Sequence, residues 1–200
     1  PPVFWAGIAV VFLMVMCMAS HYYFFSRFVQ ERFGVSRVSG FWAIGPLAEV
    51  PFIFFSGYLI KKFNVSRLLL VSLIAGTIRL YIYFLSPAIA PLYVVQLLHG
   101  LTYGTLHTSA LAFIRRRSPV EHRGLGIALY IAIGFGLAGF VGSSLGGWIV
   151  DLFGYNVLYG GYGLLPLISV VLVLLNRRRI DELSPATATP LQKLFVPIRM

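Results

Sequence analysis

The sequence predicts an all-α polytopic membrane protein built as a bundle of six transmembrane helices. Three observations predict it. The 200 residues are 58% hydrophobic, with a mean hydropathy of +0.86. Only 11% are charged, against about 25% in an ordinary soluble domain. Six apolar runs, at 3–25, 38–60, 68–85, 92–114, 125–150 and 157–175, are separated by short polar connections, and each is close to the roughly 20 residues that a bilayer crossing needs.

The basic residues then orient the bundle. Six crossings put both ends on one side. That side collects Lys61, Lys62, Arg67, Arg115, Arg116, Arg117, Arg123, Arg177, Arg178, Arg179, Lys193 and Arg199, while the other holds Arg27, Arg32 and Arg37. Lys- and Arg-rich loops stay in the cytoplasm, so both ends are expected there, in a multi-pass protein of a plasma membrane. The expected organisation is a transmembrane bundle over 1–179 and a cytoplasmic tail over 180–200, polar, Pro-containing and disordered. The Arg115, Arg116, Arg117 run reads as part of this topology signal, with a lipid or regulatory site as the other reading. The net charge of +10 falls in short clusters between apolar runs. It forms no aromatic-rich basic face, which excludes nucleic acid as a partner. Cys17 is alone, so no intrachain disulfide forms. The chain starts Pro-Pro, without Met or a signal-peptide pattern, and is expected to be a processed chain or a piece of a longer one.

The span interiors carry the chemistry. Of six acidic residues only Glu49 falls inside an apolar run, and of sixteen bases only Arg79 does. An ionisable group at that depth costs several kcal/mol and marks a function or a partner. Glu49 is 12 residues from Lys61, and Arg79 is 12 from Arg67. Both therefore lie roughly 18 Å from the same edge, on consecutive antiparallel helices. A direct Glu49–Arg79 pair is geometrically open, either as a static pin between two helices or as part of a coupling device. Gln96, His99, Tyr103 and His107 are spaced 3, 4 and 4 apart, which puts them on one helical face. Two imidazoles on a polar face inside hydrocarbon look into a water-filled cavity. Histidine titrates near neutrality, and a carboxylate in such surroundings can take up and release a proton. Pro46 and Pro51 flank Glu49 and loosen its helix. His21, in the segment Ser20-His21-Tyr22-Tyr23-Phe24, belongs either to this site or to an interfacial aromatic belt. The fifth run is rich in glycine, and Gly142-xxx-Gly146 permits close helix approach, as a sliding contact or as static packing.

These residues resemble a known family. The six spans, the cytoplasmic ends and the basic second loop are similar to the C-terminal half of a twelve-span major facilitator superfamily transporter. The loop Gly57-Tyr58-Leu59-Ile60-Lys61-Lys62-Phe63-Asn64-Val65-Ser66-Arg67 resembles that superfamily's Gly-x-Leu-x-Asp-Arg-x-Gly-Arg signature. Lys61 stands where the Asp is expected and Asn64 where the second Gly is. The segment from Gly146 to Gly154 is similar to the end of the eleventh helix. Ser20-His21-Tyr22-Tyr23, Trp42 ahead of Glu49, and Gln96-x-x-His99-Gly100 followed by Gly104-x-x-His107 resemble the phenylpropionate permease family. The Glu, Arg and His in successive spans are similar in arrangement to the lactose/proton symporters. The carboxylate that follows the His in those symporters is missing here.

The resemblance implies half of a major facilitator superfamily fold that works with an N-terminal six-helix half. It implies proton-coupled symport of a small organic solute by alternating access across a bacterial inner membrane, with an aromatic acid favoured over a sugar or nucleoside. It implies Glu49, Arg79 and His99 as the proton-coupling residues, and His21, Trp42, Gln96, His99, Tyr103 and His107 as the solute-binding ones. The partners are then the solute, protons, the lipid bilayer and the other half. No cofactor and no metal is expected. An enzyme is not expected either, because Ser143 and Ser144 lie in a glycine-packed helix without a nucleophile motif and one buried carboxylate is too few for metal-assisted hydrolysis. A non-transporting sensor or subunit on the same fold is the remaining class.

Overall fold

The computed structural model describes residues 2–182. Among them the chain forms nine α-helices: α1 Pro2–Phe33, α2 Ser39–Phe54, α3 Ser56–Phe63, α4 Val65–Leu85, α5 Ala90–Gln96, α6 Thr105–Arg117, α7 Arg123–Leu129, α8 Ala138–Tyr162 and α9 Leu165–Asp181. Two π-helical segments, Gly100–Gly104 and Tyr130–Leu137, lie between α5 and α6 and between α7 and α8. The six expected spans are these elements in order. The first is α1. The second is α2 with α3, bent by 64° at their junction. The third is α4, and the fourth joins α5, the first π segment and α6. The fifth runs from α7 through the second π segment into α8. Inside α8 the helix breaks at Gly154, with φ 80° and ψ 175°, and the sixth span runs from there to the end of α9.

Pro46 and Pro51 lie inside α2, and each removes a helical donor and crowds the preceding turn. Two expected loops shrink to single residues. The break at 151–156 narrows to Gly154, and the connection at 61–67 narrows to Asn64, which has φ 62° and ψ 162°. Glycine reaches that backbone region without strain and other residues do not. The position is the one where the superfamily signature carries glycine. α1 runs to Phe33, well past the expected limit at 25. α9 ends at Asp181 rather than at 179. Most of the expected tail, 183–200, lies outside the described residues.

α1 forms the centre of the bundle, packed on α4, α6, α8, α9 and the second π segment. Met14, Cys17, Met18 and Phe25 on it are fully buried. Missing side chains make these approaches possible. A Cβ on Gly76 of α4 would lie 2.5 Å from Met14 Cε, and one on Gly142 of α8 would lie 2.9 Å from the Met16 carbonyl oxygen. One on Gly146 would lie 2.7 Å from the Phe24 ring. Gly142-xxx-Gly146 is thus the face of α8 pressed against α1. Tyr162 Oη, beyond the Gly154 break, donates back to the Gly142 carbonyl at 2.6 Å.

The outside is apolar. Phe54, Phe140, Trp148 and Leu175 are 80%, 69%, 61% and 77% exposed. An exterior of this kind is stable only with hydrocarbon as solvent. At the Arg-rich end, the Asp181 carboxylate reaches back to the start of α4, accepting from Ser66 N at 2.9 Å and from Ser66 Oγ at 2.5 Å. A carboxylate there satisfies free N–H groups and complements the helix dipole. The chain is a multi-pass all-α membrane protein.

Relief of the Asn64 backbone is measurable. Asn64→Gly is expected to stabilise the protein by about 1 kcal/mol, read as a raised Tm in detergent. An unchanged or lower Tm contradicts the strain.

Candidate functional site

Arg79 is fully buried in the middle of α4, and its guanidinium organises everything around it. Nε donates to Tyr83 Oη at 2.8 Å, one turn along the same helix. Nη1 donates to His99 Nδ1 at 2.6 Å. Nη2 donates to His21 Nε2 at 2.9 Å and to Gln96 Oε1 at 2.6 Å. Three spans therefore converge on one cation: the first through His21, the third through Arg79 and Tyr83, the fourth through Gln96 and His99. The second span arrives one bond further out, where Glu49 Oε1 lies 3.1 Å from His99 Nε2.

The direct Glu49–Arg79 pair left open by the sequence is not formed. His99 stands between the two. Guanidinium only donates, so His99 Nδ1 must accept, and its single proton sits on Nε2, facing the Glu49 carboxylate. The imidazole is a one-residue bridge with an acceptor on the Arg side and a donor on the Glu side. The same rule fixes His21. Its Nε2 accepts from Arg79, so Nδ1 carries the proton and points at Tyr83 Oη, 3.2 Å away. Tyr83 Oη then faces three donors, from Arg79, His21 and Gln96 Nε2 at 3.1 Å. A phenol has two lone pairs and a proton of its own to place. The cluster holds a full positive charge, four neutral acceptors around it and a surplus of donors.

Local chain geometry delivers His99 to this place. Leu97 and Leu98 bond to carbonyls three residues back, at 3.1 Å each, which tightens the helix just before His99. The π segment then widens it just after. Such a widening inside a helix often marks a functional position. Ser72 Oγ on α4 donates to the Thr102 carbonyl at 2.5 Å and ties the π segment down. Glycine brings the second span close. A Cβ on Gly100 would lie 2.1 Å from the Ala48 carbonyl oxygen, and one on Gly104 would lie 2.8 Å from Phe52 Cβ. That approach is what lets Glu49 reach His99.

Aromatic rings cover the cluster. Tyr103 stacks on His99 with centroids 5.1 Å apart and planes at 17°. Tyr22 meets Tyr103 edge-on at 5.3 Å and lies parallel to Trp42 at 6.0 Å. Trp42 also sits 5.1 Å from His21 and is oriented by donating Nε1–H to Ser26 Oγ at 2.9 Å. Tyr22 is partly exposed, and its hydroxyl reaches within 3.4 Å of His99 Nε2. The structure thus gathers Glu49, Arg79, His99, His21, Gln96, Trp42 and Tyr103. His107 stands apart: it is exposed, and its Nδ1 bonds Tyr130 Oη at 2.7 Å in the second π segment. The sequence gives no site role to Tyr83 and leaves Tyr22 open between the site and an interfacial aromatic belt. Tyr83 was findable as the i+4 neighbour of a buried Arg. Tyr22 had no such signal. Among the described residues no group of three or more His, Cys, Asp or Glu side chains is placed to hold a metal ion.

A multi-pass bundle with a buried, polar, many-span cluster is the architecture of a membrane transporter half. The MFS_1 like family matches residues 2–160, and the chain belongs to it, within the major facilitator superfamily. The family is one of transporters and not of enzymes. The chain is 26% identical over 132 residues to a maltose permease of Geobacillus stearothermophilus, covering 66% of this chain and 34% of the permease. It is 29% identical over 156 residues to a protein named "Probable 3-phenylpropionic acid transporter" from Escherichia coli (strain K12), covering 78% of this chain and 41% of that protein. The chain thus spans well under half the length of these curated relatives. No solved structure matches it.

The donor surplus at Tyr83 gives a direct test of the cluster. Tyr83→Phe removes the acceptor shared by three donors and is expected to destabilise the protein by about 1–3 kcal/mol, seen as a lower Tm in detergent. An unchanged Tm would mean that the phenol oxygen is not the hub drawn here.

Proposed function

We propose that this chain is the C-terminal half of a proton-coupled symporter for a small organic anion, an aromatic carboxylate of the 3-phenylpropionate kind. It works by alternating access together with an N-terminal six-helix half, across a bacterial inner membrane with both ends in the cytoplasm. The observation that carries the reading is the Arg79 cluster: a buried guanidinium held by four neutral acceptors, with donors to spare and no carboxylate in contact. Its missing complement is an acceptor-rich anion. The rings of Tyr22, Trp42 and Tyr103 beside it suit an aromatic body, and a carboxylate matches the guanidinium fork.

The same geometry supports coupling. A solute carboxylate that takes Nη1 of Arg79 frees His99 Nδ1. The freed nitrogen binds a proton, and the imidazolium faces the Glu49 carboxylate. Proton and anion then share one occupied state. When the anion leaves, Arg79 returns to Nδ1, which can accept only after the proton has gone. His107, next to Tyr130 and outside the cluster, serves as part of the wall toward the second half. A second reading keeps the fold and changes the cargo: a neutral sugar, favoured by the match to a maltose permease and by the amide and phenol groups of Gln96 and Tyr83.

Uptake by the reconstituted two-half transporter under an imposed inward proton gradient separates these readings. Accumulation of 3-phenylpropionate that excess maltose does not reduce is the expected result. Accumulation of maltose with no carboxylate uptake would replace the first reading by the second.

The role of Glu49 has its own test. Glu49→Gln keeps the shape and the contact to His99 but cannot hold the imidazolium. It is expected to abolish accumulation against a gradient, so that solute only equilibrates across the membrane, while exchange of labelled solute persists. A variant that still concentrates solute from a pH gradient alone makes Glu49 a structural residue.

A further inference from the structure

Apart from the Arg79 cluster, the Arg-rich end of the bundle holds two arginines with buried donors that meet no acceptor among the described residues. Arg117 closes α6 and Arg123 opens α7. Arg117 Nε and Nη2 and Arg123 Nε are buried and meet no hydrogen-bond acceptor among the described residues. Both side chains are only half-buried as a whole, so the corner they form opens outward.

The two arginines share that corner. A Cβ on Gly126 would lie 2.9 Å from Ile114 Cγ2 and 2.7 Å from Ser118 Oγ, so the first turn of α7 packs on the last turn of α6. Arg123 is three residues before Gly126 and Arg117 three after Ile114, which puts each on its helix's contacting face. Burial pulls the Arg117 guanidinium down from its ordinary value, Glu182 pulls it back up, and Arg179 adds to the fall.

The protein has few anions to offer. Among the described residues the ion pairs are Arg27–Glu31 and His99–Glu49, and Asp181 is engaged by Ser66. Residues 183–200 contain no Asp or Glu. Arg115, Arg116, Arg177, Arg178 and Arg179 add further positive charge at this end. Glu182 acts on Arg117 from a distance, but among the described residues neither Arg117 nor Arg123 forms an ion pair, so their free donors are open to an outside anion. Arg117 lies only three residues beyond the apolar run that ends at Ile114, roughly 4.5 Å along the axis, at the depth of lipid headgroups.

We propose that Arg117 and Arg123 form a binding site for the phosphate of an anionic phospholipid in the cytoplasmic leaflet, seated at the corner between α6 and α7. Phosphate oxygens suit two guanidinium forks, and a basic pocket between transmembrane helices on this side is a setting in which such headgroups bind.

The test uses the full chain, delipidated in detergent and titrated with phosphatidylglycerol, with bound lipid counted by native mass spectrometry. Phosphatidylcholine and inorganic phosphate run as parallel arms. Phosphatidylglycerol is expected to bind in preference to phosphatidylcholine, and the pair Arg117→Gln with Arg123→Gln to weaken it by about tenfold. Arg115→Gln, the exposed neighbour in the same run, leaves binding unchanged. The pair Arg117→Lys with Arg123→Lys keeps the charge, loses the forks and falls between, which preserves the test if the glutamine pair unfolds. Unchanged phosphatidylglycerol binding in the glutamine pair overturns the site. An equal loss in Arg115→Gln reduces it to diffuse charge and overturns it as well. Inorganic phosphate bound as tightly as the lipid overturns the assignment to a lipid.

Discussion

The burial of one guanidinium governs the structure. A charge taken into the middle of a membrane bundle is tolerable only where polar groups replace its water. Arg79 recruits those groups from three spans. The arrangement of the first, third and fourth spans is consequently more than apolar packing. In hydrocarbon, Leu against Leu and Leu against lipid are nearly equivalent, so apolar surface alone specifies little about which helix meets which. Arg79 supplies the missing specificity, because its donors have one set of partners within reach. Glycine supplies the closeness. Gly76, Gly100, Gly104 and Gly142 each stand where a methyl group would collide with a neighbouring span.

The fold was legible because lipid makes sequence rules strict. Runs of apolar residues and a lopsided distribution of bases suffice to count the spans. The site was half legible, for a related reason. Glu49 and Arg79 stood out because an ionisable residue between apolar neighbours has no innocent explanation. His99 and Gln96 stood out through helical spacing. The connection between them was hidden. An ideal helix carries no hint of the tightening at Leu97 and Leu98 or of the π segment that follows, and these turn His99 into a bridge. Tyr22 and Tyr83 were hidden because tyrosine is common at membrane interfaces and in packing, so its presence marks nothing until a partner is known. His107 has a different place from the one helical spacing gives it. Shared helical phase with His99 placed it in the same group, but the π segment between them shifts the phase, and it meets Tyr130 instead.

The unequal treatment of cations is a second theme. Arg79 is surrounded by four neutral acceptors from the chain itself, with a single bridge to a carboxylate. Arg117 and Arg123 are also drawn partly out of water and, among the described residues, keep donors without an acceptor. The difference follows from position. In the hydrocarbon interior an unmatched charge is not supportable, so the fold must complete the set itself. At the headgroup level the surroundings are rich in phosphate, and the protein is free to leave the last ligand to the membrane.

The carboxylate of Asp181 closes the description with a practical boundary. It comes from the final turn of the last helix and fastens to Ser66 at the first turn of α4, 115 positions away in sequence. The two ends of that contact frame the third through sixth spans as a stapled unit. Anyone shortening this protein or fusing another domain to it works at this staple. A junction placed at 179, where the apolar pattern and the arginine run give out, removes the pin along with the linker. The last helix therefore ends in a side chain that fastens it to the start of the third span.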